Sequence, residues 1–145
     1  MAAALTESES NQRAIRELLA AVDRGELERV LSFYSPDYVD HDASESRAAA
    51  SGSSFSALRP AFAAFYRAFG DVRHTVDDLF GAGDRVAARV SVEAVHVEPL
   101  FGIPPSGKTI RNQSIVIYRF ENGRIVERWC REQHSTRELL LAANR

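Results

Sequence analysis

Gly102-Ile103-Pro104-Pro105-Ser106-Gly107-Lys108 opens a stretch that closes on Gly123-Arg124-Ile125-Val126-Glu127-Arg128-Trp129, and its reading decides the fold. Between the two segments, Ile115-Val116-Ile117-Tyr118-Arg119-Phe120 runs into Glu121-Asn122-Gly123. Asn-Gly between two apolar, alternating runs is a strong hairpin signal, because both turn residues accept positive φ. Residues 110–120 and 124–134 are therefore expected to be adjacent antiparallel strands. The second of them carries Trp129, and the residues after it, onto a sheet face.

Upstream, Val72 to Leu79 reads as a strand, Gly81-Ala82-Gly83-Asp84 as a turn, and Arg85 to Val97 as a long strand. The period then changes. Ile15, Leu18, Leu19 and Val22 fall at helical spacing and predict a helix over about 8–23, preceded by a frayed lead-in over 1–9 and broken by Gly25. Leu27, Val30, Leu31 and Tyr34 set a short second helix that Pro36 stops, so the pair reads as a helical hairpin. Leu58, Phe62, Phe65, Tyr66 and Phe69 recur at steps of three and four, a third helix with an aromatic stripe. Residues 43–54, rich in Ala and Ser, have no periodicity and read as a loop over one end, either a lid or a disordered insertion. Leu139-Leu140-Leu141 is apolar enough to dock or to pair with a second subunit. Three helices followed by consecutive strands predict an α+β fold, with helices on one side of a curved, mostly antiparallel sheet.

At 145 residues the chain is expected to form one domain over 1–145, able to bury roughly two-thirds of its unfolded surface and to hold a pocket. Its 18 basic and 20 acidic residues leave a net charge of −2 with no basic cluster, which argues against nucleic acid or anionic lipid as a partner. No run approaches the roughly 18 apolar residues of a membrane span. The single cysteine, Cys130, excludes an intrachain disulfide, reads as an inert packed thiol and, with no apolar leader core near Met1, predicts a cytoplasmic protein. Asp40-His41-Asp42 alternate in direction, and no His-x-His or Cys-x-x-Cys spacing occurs, so no metal is expected. Dinucleotide, nucleotide and serine-hydrolase motifs are absent from the sequence, and no cofactor is expected.

Six words in order resemble the SnoaL-like polyketide cyclase family, within the nuclear transport factor two-like fold. Residues 33–41, Phe-Tyr-Ser-Pro-Asp-Tyr-Val-Asp-His, are similar to that family's helix-end motif, and Phe69-Gly70-Asp71 to its Phe-Pro-Asp. Gly83-Asp84-Arg85-Val86 resembles its Gly-Asp-Arg-Val strand start, and His96 sits where its members often carry a histidine. Gly102 to Lys108 resembles its Gly-Ile-Pro-Pro-Thr-Gly-Lys turn, and Gly123 to Trp129 its Gly-Lys-Ile-Val-Glu-His-Trp strand, so the likeness covers about residues 10–135. The resemblance implies a cone-shaped α+β barrel around one deep, apolar cavity, commonly in a homodimer. It implies a small cofactor-independent enzyme acting on a polyketide-like or other apolar oxygenated molecule by cyclisation, isomerisation or a related proton transfer. A non-catalytic binding protein with the same cavity, and an epoxide-opening or hydroxylation-related enzyme, are the alternatives that the wider fold holds.

In the cyclases that this chain resembles, an aspartate four residues beyond the tryptophan is the acid/base, and the matching position is Gln133. An amide orients a substrate but cannot act as a general base. Glu132 is the candidate substitute. Strand alternation groups Trp129, Arg131 and Gln133 on one face and Cys130, Glu132 and His134 on the other, so with Trp129 inward only a bulge would turn Glu132 into the cavity. His41, which in the family lies at the cavity wall, and His96, in line with Val86, Ala88, Val90, Val92 and Ala94, are acid/base candidates, and each could equally be structural. Tyr38, Phe62, Phe65, Trp129, Arg131 and Gln133 are the expected substrate-binding residues. Arg131 could neutralise an enolate, and needs Glu127 or a bound anion as partner. Only one of Asn112 and Gln113 can point inward, and His74 reads as surface.

Overall fold

The computed structural model describes residues 3–42 and 54–145, so the predicted loop over 43–54 lies, apart from Ser54, outside the described residues. The elements are α1 (Glu7–Asp23), α2 (Leu27–Ser32), β1 (Tyr34–Asp40), a 3-10 turn (Phe55–Ala57) leading into α3 (Leu58–Ala68), β2 (Phe69–Ala82), β3 (Arg85–His96), β4 (Thr109–Glu121), β5 (Arg124–Glu132) and α4 (Thr136–Ala143). The Thr6 side chain accepts the Glu9 backbone N–H at 3.1 Å and starts α1 inside the expected lead-in. The predicted apolar stripe Ile15, Leu18, Leu19 and Val22 is the face that α1 buries.

The five strands lie in the order β1-β5-β4-β3-β2, antiparallel except for β1, which runs parallel to β5. The turn between β4 and β5 has Asn122 at φ 52° and Gly123 at φ 76°, the conformation that the Asn-Gly pair predicts. Tyr34–Asp40 corrects the sequence reading, which has four strands and puts this segment at the end of a helical hairpin. Tyr34 pairs with Ile125, and Asp40 with Arg128, about ninety residues along the chain. A parallel pairing over that distance leaves no local hydrophobic period to read.

The concave face carries Val86, Ala88 and Val90 from β3 and Val116, Tyr118 and Phe120 from β4. These pack under α1, α2 and α3 as the main core. A smaller cluster of Ala68, Phe69, Ala94, Ile103 and Leu140 closes one end, so α4 docks through the fully buried Leu140. Helices on one face of a curved, mostly antiparallel sheet make the α+β arrangement that the element order predicts and the cone that the resemblance implies.

One irregularity controls the site. Between Arg119 and Phe120 the β4–β5 register shifts, with Phe120 opposite Ile125 and Arg119 opposite Glu127. Val126 is the extra residue, and both Ile125 and Val126 are buried. A bulge of this kind reverses the facing of every later side chain on the strand. Arg128, Cys130 and Glu132 therefore turn toward the concave side, and Trp129 and Arg131 away from it.

Candidate active site

Between the sheet and helices α1 and α3 lies a cavity of about 200 Å³. Leu18 and Val22 of α1, Phe62 and Phe65 of α3, and Val90 and Val92 of β3 make much of its wall. Polar residues in that wall come from several elements: His74 on β2, Asn112, Gln113 and Ser114 on β4, Arg128 and Glu132 on β5, and Thr136 on α4. Such convergence of a few polar groups on an apolar concavity is the usual form of a small-molecule site.

Glu132 ends β5 opposite Ser114, with solvent access at the cavity mouth. Asn112 holds the chain just beyond it. Its Nδ2 donates to the His134 carbonyl at 2.8 Å, and its Oδ1 accepts the His134 backbone N–H at 3.2 Å. Asn112 shares the inward row of β4 with Ser114, Val116 and Tyr118, whereas the Gln113 amide turns to the other face and donates to Ser91 Oγ at 3.3 Å.

Arg128 lines the same cavity but is already engaged. Its Nη1 donates to Asp40 Oδ2 at 3.1 Å, and Oδ2 also accepts the Tyr38 hydroxyl at 3.1 Å. The Asp42 backbone N–H donates to Asp40 Oδ1 at 3.1 Å. Burial opposes the Arg128 charge, but Tyr118, Cys130, Asp40 and Tyr38 outweigh it and hold its pKa well above the ordinary value. Tyr38, expected to bind substrate, is thus 1 % exposed beneath the cavity and serves the Asp40–Arg128 pair.

The remaining expected site residues separate. Phe62, Phe65 and Glu132 line the cavity. Trp129, expected to face inward, lies on the outer face of the sheet because of the bulge, stacked on His41 (centroids 4.9 Å apart, 13° between planes) and under Arg85. His41 Nε2 meets Glu127 Oε1 at 3.0 Å on that outer face, and Arg119 and His41 together hold the Glu127 carboxyl below its usual range. Arg131 is also outside, paired with Asp42 at 2.5 Å rather than with Glu127. Gln133 is exposed beyond the end of β5, and its backbone N–H donates to the Gln113 carbonyl at 2.8 Å. None of His41, Trp129, Arg131 and Gln133 is among the lining residues.

His96 does lie on the inward row of β3, yet it is fully buried at the closed end, against Phe69, rather than in the cavity wall. Both ring nitrogens lack a hydrogen-bond partner among the described residues. An unsatisfied buried polar group costs stability that an apolar group of similar size does not. His96→Leu is therefore expected to raise the unfolding free energy by about 1 kcal/mol, measured by urea denaturation; a loss of stability would show that the imidazole has a hidden partner.

The sequence reading misses His74. Its side chain is 15 % exposed, lines the cavity, and is held by Asp23 at the end of α1. The signal available was the alternation Val72, His74, Val76, which puts the histidine on the inward row. Among the described residues no group of three or more His, Cys, Asp or Glu side chains is placed to hold a metal ion. No described helix is long and apolar enough to cross a membrane.

A curled sheet covered by helices, enclosing one apolar cavity with polar groups from several strands, defines the cone of nuclear transport factor two-like proteins. The chain belongs to the SnoaL-like polyketide cyclase family, whose model matches residues 12–138. It is similar to AclR, a candidate hydroxylase from Streptomyces galilaeus, at 27% identity and TM-score 0.77 over 92% of this chain and 95% of that one. TsrD from Streptomyces laurentii is 26% identical with TM-score 0.75, covering 90% and 94%. IdmH, a candidate polyketide cyclase from Streptomyces antibioticus, is 25% identical with TM-score 0.76, covering 92% and 97%. A comparison with curated proteins finds no match.

Proposed function

We propose that this protein is a cofactor-independent enzyme that moves a proton at carbon in an apolar, oxygenated small molecule of polyketide type, in a cyclisation or isomerisation. The observation that carries the reading is the Glu132 carboxylate in the wall of an otherwise largely apolar cavity. A carboxylate can take a proton from a carbon next to a carbonyl and return it elsewhere. Glu132, the candidate substitute for the missing aspartate, thus takes the acid/base role rather than Gln133. Phe62 and Phe65 supply flat apolar contact for rings. Family membership and the likeness to IdmH support this choice of substrate class.

The test uses 2-tetralone, a two-ring ketone with acidic hydrogens beside its carbonyl, in deuterated buffer. Protein-dependent exchange of those hydrogens, followed by proton magnetic resonance, is the expected result. Bound but unexchanged ketone would favour a protein that sequesters its ligand without transforming it.

Two copies are proposed to pair through the outer face of the sheet. Ile115, Ile117 and Phe80 stand exposed there, around the half-buried Trp129. The wild type is expected to sediment at twice 16.1 kDa, and Ile117→Glu at the single-chain mass. A wild-type monomer would exclude this pairing.

A further inference from the structure

His74 and Asp23 form a second ionisable pair in the cavity wall. Asp23 Oδ2 accepts the His74 backbone N–H at 2.8 Å, and Oδ1 meets Nδ1 at 2.5 Å. Two contacts to one carboxylate fix the ring orientation and place the Nδ1 proton on the Asp23 side. Nε2 is left as the ring's working nitrogen, with no hydrogen-bond partner among the described residues. Tying α1 to β2 requires only the carboxylate and the backbone N–H. An imidazole in the wall of an apolar cavity adds a group that can carry a proton.

Strand register locates this pair relative to Glu132. His74 lies opposite Val92, and Val92 opposite Asn112. Ser114, two residues further along β4, lies opposite Glu132. His74 and Glu132 therefore stand on one concave face, separated by three strand spacings, about 14 Å across the strands, and by two residues, about 7 Å, along them, and the curl of the sheet turns them toward each other. Val90 and Val92 on β3, with Asn112 and Ser114 on β4, form the floor between them. A carbon acid and the carbonyl directly attached to it are too close together to use groups set so far apart. A conjugated ring system with its acidic C–H at one edge and its carbonyl oxygen at the other fits them better.

We propose that His74, positioned by Asp23, is a second catalytic residue, which gives a proton to a substrate oxygen while Glu132 takes one from carbon across the ring system. The proposal rests on the proton-transfer reading of the cavity and specifies its substrate as a conjugated multi-ring ketone. In the step, the Glu132 carboxylate takes the proton and the C–H electron pair moves through the rings to the carbonyl. The oxygen takes the Nε2 proton of doubly protonated His74, leaving an enol, protonated Glu132 and neutral imidazole. The reverse sequence at another carbon completes an isomerisation and restores both groups, with no oxidant or reductant.

Anthrone, whose acidic carbon and carbonyl face each other across the central ring, is the probe, kept anaerobic in deuterated buffer. His74→Gln is expected to slow exchange at that carbon about 10²-fold, with anthrone affinity and the unfolding midpoint near wild type. Asp23→Asn, which removes the carboxylate that orients the ring, is expected to slow exchange by less than His74→Gln does. Wild-type exchange in His74→Gln would overturn the proposal. A second measurement uses no variant: the nitrogen-15 signal of His74 Nε2 should move when anthrone binds, and a stationary signal in the bound state overturns the contact. If the wild type exchanges neither 2-tetralone nor anthrone, the proton-transfer reading and the catalytic role of His74 fail together. The Nε2 signal then decides separately whether the imidazole touches ligand.

Discussion

Glu132→Gln is expected to lower turnover about 10²- to 10⁴-fold, the usual contribution of a positioned general acid or base, while the ligand dissociation constant stays near its wild-type value. Glutamine keeps the shape and one acceptor oxygen but cannot take up a proton from carbon. The measurement is kcat from exchange or product formation, with affinity by calorimetry. Gln133→Ala is the control. That side chain is exposed and outside the cavity wall, so its loss should leave kcat near wild type. The opposite pattern, with Gln133→Ala crippling and Glu132→Gln harmless, would mean that the bulge after Ile125 does not set the working face of β5.

The largest expected effect on stability belongs to Arg128. Its side chain and that of Asp40 are 10% and 2% exposed, and they meet at 3.1 Å. Removing one member of a buried ion pair strands the other charge, so Arg128→Met should destabilise the fold by about 3–5 kcal/mol, read from denaturant unfolding. The Tyr38 hydroxyl and the Asp42 backbone N–H still reach Asp40, but neither supplies a positive charge. Adding Asp40→Asn removes the stranded charge, and the double variant should regain much of the loss. A double variant as unstable as Arg128→Met would assign the cost to lost packing instead of electrostatics. The pair joins β1 to β5, so it also secures the strand that carries Glu132.

Much of the scaffold was legible because its determinants are local. Asn122-Gly123 marks its turn through φ alone, and the stripe from Ile15 to Val22 and the alternation from Val86 to Ala94 show their periods within a few residues. The strand over Tyr34–Asp40 was not legible, since its partner lies on β5 and pairs in parallel. His74 escaped for a related reason. Its alternation was visible, but Asp23, which gives the ring its orientation, comes from a helix about fifty residues earlier.

The amino-acid order by itself determined the succession of helices and strands, the final hairpin and the family likeness, because short-range periods and turn propensities carry that information. Tertiary structure decided which face of the last strand does chemistry. One extra residue at Val126, accommodated only when β4 and β5 pair, moves Trp129 to the outside and Glu132 to the cavity. Side chains alternate with period two, so a single bulged residue is enough to exchange the two faces.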